Sequence, residues 1–282
     1  FRAPSSDSSV AKALGFVLGQ QASVFPPPSA VGAVSRIKSP LLRPPKTAAS
    51  RTVLCSSILG LVSNMDSAST PMSLDEWFKT NGYTIKSSSS MGGSSWSSGG
   101  KYVAENGQEF FVKTARQSAA KMFAGEALGL QAMYDTNTLR IPKVFHYGDD
   151  GKGGSYIVME YLPLGGGSDQ LAFGKAMAAM HLAAPSAPEA LDGKFGFPVD
   201  NTIGGTPQPN TWDEDWVRFF REQRIGHQIK LAGSPQLERQ WSQVLEETNN
   251  LEDLFQGVTV RPSVLHGDLW SGNCAGAGGE PC

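Results

Sequence analysis

Between residues 73 and 161 the spacing of apolar positions changes repeatedly, and each change predicts an element. Ser73-Leu74-Asp75-Glu76 has the Ser-x-x-Glu spacing of a capping box and opens a short helix through Lys79. Tyr83–Ser87 reads as a strand, Met91–Gly100 as a Gly/Ser loop, and Lys101–Ala104 as a second strand. Asn106-Gly107 is a tight hairpin signal, and Glu109–Thr114 is the strand that leaves it. Ala119–Tyr134 switches to the 3.6-residue period of a helix. Ile141–Val144 and Ser155–Tyr161 then predict two strands around an Asp-Asp-Gly turn. Beyond a Gly-rich link, Leu162–Gly167, the pattern is helical over Gln170–Leu182, where His181 reads as a core histidine. Phe195–Asn210 is rich in Gly and Pro and reads as loop. Helices are predicted from Trp212 and over Pro235–Phe255, and Val258–Leu265 reads as one more strand.

Composition adds a boundary. The 282 residues are 40% hydrophobic, enough for a sizeable core. The formal charge of -2 is uneven: residues 1–71 hold seven Lys/Arg against two Asp/Glu, leaving 17 against 24 in residues 72–282. An acidic body argues against nucleic acid as a partner. The leading segment, rich in Ser, Ala and Pro, has the composition of an organelle transit peptide, chloroplast before mitochondrion, or else of a disordered leader. Met65 could start a shorter, cytoplasmic form. The longest apolar run, Thr52–Val62, is too short to span a bilayer. Cys55, Cys274 and Cys282 show no metal-ligand spacing and no disulfide framework.

Candidate chemistry lies in four places. His266-Gly267-Asp268-Leu269-Trp270-Ser271-Gly272-Asn273 contains H-x-D-x-x-x-x-N, the catalytic-loop spacing of protein kinases. Phosphoryl transfer needs a carboxylate beside the attacking hydroxyl and an oxygen ligand on the metal, both projecting from one rigid loop. Asp268 suits the first role and Asn273 the second, although the same residue types also make surface turns. Upstream, Gly92, Gly93, Ser94 and Ser95 are small enough for backbone N–H groups to approach phosphates, or to form nothing more than a flexible turn. Lys113 interrupts an apolar strand, and Glu126 sits in the apolar face of a helix. Each is costly there unless the two pair, the bland alternatives being a snorkelling lysine and a solvated glutamate. Glu160, Tyr161 and Leu162 stand where a kinase-like hinge would offer backbone groups to adenine.

Taken together, these residues resemble the fructosamine 3-kinase or ketosamine kinase family, relatives of aminoglycoside and choline kinases. The resemblance runs from about Leu74 to Asn273. It rests on the His266–Asn273 loop, Gly196-Phe197-Pro198-Val199-Asp200-Asn201-Thr202-Ile203-Gly204, Trp212-x-x-Asp215-Trp216 with Phe219 and Arg224, Phe111-Val112-Lys113, and Met122-Phe123-x-Gly125-Glu126. It implies an α+β, protein-kinase-like two-lobe fold, with a β-rich N-lobe over residues 72–164 and a partial helical C-lobe over 165–282. It also implies magnesium ATP-dependent phosphorylation of the sugar 3-hydroxyl of ketosamines on glycated lysines, after which the adduct leaves the amine. The plant-type members point to ribulosamines and erythrulosamines.

Carried over by position, Asp268 is the base, Asn273 a Mg2+ ligand, Lys113 the phosphate contact, Glu126 its partner, and Trp270 a wall of the ketosamine pocket. Two departures matter. Ser95 stands where family members often carry Cys, so no redox switch is expected there. The Asp-Pro motif whose Asp holds a second metal is absent from Cys274–Cys282, which leaves open an inactive binding module. A small-molecule kinase of aminoglycoside or choline type is the other alternative. With later helices missing, the apolar faces of Leu171–Leu182 and Leu245–Phe255 should be partly uncovered.

Overall fold

The computed structural model describes residues 71–94, 96–165, 169–270 and 272–282. The leader, Ser95, the end of the Gly-rich link and Ser271 therefore lie outside the described residues. Two compact units are formed, and residues 228–256 are the described part of the smaller one.

In the larger unit, helix α1 (Leu74–Thr80) carries the capping box the sequence predicts: Ser73 Oγ accepts the Glu76 N–H, and Glu76 Oε2 accepts the Ser73 N–H at 2.9 Å. Strands β1 (Ile85–Gly93), β2 (Ser98–Ala104) and β3 (Glu109–Ala115) follow, then helix α2 (Ala120–Asp135) and strands β4 (Val144–Asp149) and β5 (Ser155–Glu160). The five strands form one antiparallel sheet in the order β1-β2-β3-β5-β4.

Successive side chains of a strand point to opposite faces, so this sheet buries two layers. Phe110, Val112, Tyr156 and Val158 pack with Trp77 and Phe78 of α1. Ile157 and Met159 face the other way, against Phe123 and Ala127 of α2, with Phe111 packed on the same cluster. Phe110 lies at the centre of the first layer, with the rings of Phe78, Tyr83 and Phe145 centred 5.3, 4.8 and 5.5 Å away.

Three of the sheet expectations need correction. Met91–Gly100 is mostly strand, since Ser90 pairs with Gly100 and Gly93 with Ser98, which confines the turn to Ser94–Ser97. An exposed edge strand needs ladder hydrogen bonds more than apolar side chains, so Ser and Gly suffice. Ile141–Val144 is not a strand: Ile141 is buried against Met133, Met177 and Met180, Pro142 has no N–H to give, and the ladder starts at Val144. Val258–Leu265 forms no strand either. It contains Pro262, and hydrophobicity alone does not make a strand without a neighbour to pair with.

Helix α3 (Gln170–Leu182), N-capped by Asp169, places Met177 and Met180 in a third cluster with Met133. His181, expected in the core, is exposed, because Met180 takes the inward position at that turn. Leu171 and Leu182 are 65% and 85% exposed, so this helix does show an uncovered apolar side. The short helix α4 (Pro188–Leu191) follows. The supposed loop Phe195–Asn210 contains a hairpin of β6 (Asn201–Ile203) and β7 (Thr206–Gln208), turning at Gly204 with φ +60°.

The helix expected from Trp212 begins four residues later, as α5 (Trp216–Phe219). Asp213 is held in a bridge to Phe195, and the Asp215 carboxylate caps the helix by accepting the Arg218 N–H at 2.9 Å. A π-helix, Phe220–Gly226, succeeds it. Helix α6 (His227–Ala232) enters the smaller unit at Gln228, and α7 (Pro235–Glu247) lies within it. The predicted helix to Phe255 is interrupted because Asn249, Asn250 and Leu251 all take left-handed φ, leaving only a 3-10 turn over Glu252–Phe255. The larger unit closes with a two-stranded hairpin, β8 (Gly276–Ala277) and β9 (Glu280–Pro281).

Candidate active site

Lys113 is on β3, where the two-residue period puts it on the same face as Phe111, toward α2. Glu126 is on α2, one position from Ala127 in the apolar stripe. The lysine Nζ donates to Glu126 Oε1 at 2.6 Å, with 32% and 24% of the two side chains exposed. The pair places an ammonium group at the sheet surface beside α2.

The turn between β1 and β2 lies on the same sheet. Ser94 organises it: its N–H bonds to Ser97 O at 2.8 Å, and its Oγ accepts the N–H groups of Trp96 and Ser97 at 3.4 and 3.2 Å. The N–H groups of Ser94, Trp96 and Ser97 are thus engaged within the turn. Gly92 takes φ +86°, and a Cβ on Gly93 would strike Ser97 O, so this crossing of the backbone requires glycine. Trp96 packs on Phe123 of α2, ring centroids 5.2 Å apart, which ties the turn to the helix that carries Glu126.

At the far end of β5, Glu160 holds Arg140 by a two-point ion pair, one arm Nη1 to Oε2 at 3.0 Å. Burial raises the Glu160 carboxyl, but the Arg140 hydrogen bonds, the Lys143 N–H and both cations outweigh it and leave it below the usual carboxylate range. The Glu160 N–H is bonded to Lys143 O at 2.8 Å, and Leu162 O accepts the Leu164 N–H at 2.8 Å. Tyr161 has Lys101 Nζ 4.0 Å over its ring. Sequence reading gave no warning of Arg140, which precedes Ile141-Pro142 with no pattern around it.

The second group sits on the His266–Asn273 loop. Gly267 takes φ +81° there. Asn273 Nδ2 donates to Asp268 Oδ2 at 2.8 Å and to Asp268 O at 3.0 Å, so the side-chain amide sets the carboxylate's direction. The Asp268 N–H bonds to His266 Nδ1 at 3.3 Å. The Asn273 N–H returns to Trp270 O at 2.9 Å and closes the turn. Trp270 is 59% exposed, and its indole lies where a Cβ on Gly272 would be. Four of the sequence-predicted residues therefore form two bonded pairs, Lys113 with Glu126 and Asp268 with Asn273.

With both amide hydrogens' nitrogen turned toward Asp268, Asn273 keeps Oδ1 for a cation, and the carboxylate offers a second oxygen. Hard oxygen donors in that small number suit Mg2+ held jointly with phosphates and water. Among the described residues no group of three or more His, Cys, Asp or Glu could hold a metal alone, and no helix is long and apolar enough to cross a membrane.

An antiparallel sheet presenting a lysine to a helix glutamate, followed by helices and an H-x-D-x-x-x-x-N loop, is the protein-kinase-like fold. A solved structure from Thermobifida fusca YX-ER1, provisionally described as a fructosamine-3-kinase, superposes with a TM-score of 0.57 at 26% identity, covering 71% of this chain and 67% of that one. The fructosamine kinase family model matches residues 70–281, and the chain belongs to that family. The chloroplastic protein-ribulosamine 3-kinase of Arabidopsis thaliana is 42% identical over 207 residues, 71% of this chain and 61% of the relative. Its counterpart in Oryza sativa subsp. indica is 42% identical over 214 residues, 73% and 60%. The chain thus spans about six-tenths of the length of the curated relatives it matches.

Proposed function

We propose that this chain carries the phosphotransferase site of a ketosamine 3-kinase, moving the γ-phosphoryl group of ATP to the 3-hydroxyl of a ketosamine on a glycated lysine. The observation that carries the reading is the Asp268–Asn273 pair, a carboxylate steered by an amide whose own oxygen stays available. Asp268 takes the 3-hydroxyl proton as that oxygen attacks phosphorus, and the bond from the sugar O3 to Pγ forms as the bond from Pγ to the bridging oxygen leaving with ADP breaks. Lys113, kept in place by Glu126, holds the α- and β-phosphates, with Gly92, Gly93, Ser94 and Ser95 above them. This requires the Ser94–Ser97 turn to exchange its internal hydrogen bonds for phosphate oxygens. Glu160, Tyr161 and Leu162 border the adenine, with Glu160's side chain committed to Arg140. Asn273 would hold Mg2+, which supplies charge neutralisation on the transferring phosphoryl group. Trp270 offers an exposed aromatic face to the sugar adduct.

The names of the plant relatives support ribulosamine as the acceptor and the plastid as the compartment. The lobes divide at residue 164 or 165 in this reading. The test is phosphate transfer from ATP to a ribulosamine-lysine peptide by the full chain, compared with fructosamine, aminoglycoside and choline acceptors. Preference for the ribulosamine, lost about a hundredfold or more in Asp268→Ala, is expected. Preference for choline or an aminoglycoside would move the assignment to a small-molecule kinase, and an undiminished mutant would remove Asp268 from the chemistry.

A further inference from the structure

Helix α2 has to hold Glu126 opposite Lys113 to within a hydrogen bond, yet Glu126 is partly exposed, and an ion pair of this kind contributes little rigidity by itself. One position earlier, Gly125 turns to a different neighbour. A Cβ there would lie 3.1 Å from Asn201 Cβ, 3.3 Å from Asn201 Cα and 3.9 Å from Asp200 O. The backbone of α2 therefore rests directly on the β6–β7 hairpin, an element that lies outside the main sheet.

The hairpin is fastened from behind. Asn210, 2% exposed, donates through Nδ2 to Val199 O at 2.9 Å and to Asn201 Oδ1 at 3.0 Å, and its N–H bonds to Asp200 Oδ1 at 2.8 Å. The π-helix grips the segment that leaves the hairpin: Gln223 Nε2 donates to Thr211 O at 2.8 Å, and Arg224 to Pro209 O and Asn210 Oδ1, both at 2.6 Å. His227 Nε2 donates to Pro207 O at 2.9 Å. Burial lowers the Arg224 guanidinium to about 10, so it stays charged at neutral pH while stacked 4.4 Å from the Phe219 ring. π-helical turns often mark functional positions, and this one aims two consecutive polar side chains, Gln223 and Arg224, at the segment that leaves the hairpin.

We infer that the β6–β7 hairpin, locked by Asn210 and Arg224, is a brace that sets the position of α2 through Gly125 and so holds Glu126 against Lys113. Gly125, Asn210 and Arg224 are positioning residues for the nucleotide end of the site. This rests on the kinase reading of Lys113 and Glu126 given above. A methyl group at Gly125 meets a backbone that its own network prevents from yielding, so α2 must shift instead. Gly129 lies one turn further along the same helix with nothing within 4 Å of its Cβ position and serves as the matched control.

The experiment is steady-state kinetics of the full chain carrying Gly125→Ala, Gly129→Ala, Glu126→Gln and the 125/126 double substitution. Gly125→Ala should raise KM for ATP by about tenfold, as expected for a reacting group displaced by a fraction of an ångström, with the acceptor KM unchanged. Gly129→Ala should match the wild type. In the Glu126→Gln background, Gly125→Ala should add less than about twofold, since the contact it disturbs is already gone. A wild-type KM for Gly125→Ala, or losses that multiply in the double variant, would overturn the brace. A wild-type chain with no ATP turnover overturns the kinase reading instead. The brace is then decided by a crystal structure of Gly125→Ala, where a Lys113–Glu126 separation unchanged from 2.6 Å would refute it.

Discussion

The Glu160 carboxylate shows how a single side chain ties stability to pH. Its folded pKa is depressed, with the Arg140 hydrogen bonds outweighing burial, so the stabilisation is present above the unfolded value of about 4.3 and is lost as pH falls through the folded value. Glu160→Gln should therefore lower Tm at pH 7 and converge with the wild type in acid below the carboxylate range. Thermal melts of both chains from pH 7 down to about pH 3 check this, and a gap independent of pH would show that the ion pair contributes nothing. Lys113 and Glu126 behave differently, since the value of their pair lies in where it holds the ammonium group. Glu126→Gln should cost about 1 kcal/mol or less in denaturant unfolding, while raising KM for ATP about tenfold or more. Comparable losses in both would mark the pair as structural.

At the scale of elements, the best local signal belongs to α1. Its capping box satisfies two backbone donors reciprocally, and Trp77 and Phe78 then bury against the sheet. Ser73→Ala should destabilise the chain by about 1 kcal/mol in denaturant unfolding, and a change within error would mean that the packed aromatics alone hold the helix. Signals of this kind are local, which is why α1, the Asn106-Gly107 turn, β3, α2, β5 and α3 were legible in the sequence. What failed depended on partners. β1 extends through Ser and Gly because β2 lies beside it, whereas the more apolar Val258–Leu265 stays irregular. Three consecutive left-handed residues stop α7 early, and neither Asn nor a buried Leu251 announces that in a helical pattern. The β6–β7 hairpin was hidden by its Gly/Pro content, and the π-helix beyond it has no sequence signature, so of the residues that fasten it Arg224 could be seen only as part of a family motif and Asn210 only as the end of a supposed loop.

For the molecule as a whole, the legible part of the site was the part made of charge placed against apolar pattern. Lys113 in a buried strand and Glu126 in a buried helix face each demanded a partner, and the H-x-D-x-x-x-x-N spacing put Asp268 and Asn273 on one loop. Arg140, the internal bonding of Ser94–Ser97 and the brace behind α2 carried no such demand, because each satisfies backbone carbonyls or carboxylates that the sequence cannot locate. The two bonded pairs lie on different elements, a sheet with its helix and a loop near the end of the chain, and this separation predicts a division of labour. Lys113→Met removes the cation that the proposed function assigns to the phosphates and should weaken ATP binding about tenfold or more. Asp268→Asn keeps the size and hydrogen-bonding reach of the side chain but removes its basicity. It should leave the ATP dissociation constant within about twofold while lowering kcat about a hundredfold or more. Titration of each variant with a fluorescent ATP analogue, alongside turnover on a ribulosamine peptide, separates the two effects. If Asp268→Asn lost nucleotide affinity in proportion to kcat, the loop would be acting on ATP itself, and the assignment of Asp268 to the acceptor hydroxyl would be withdrawn.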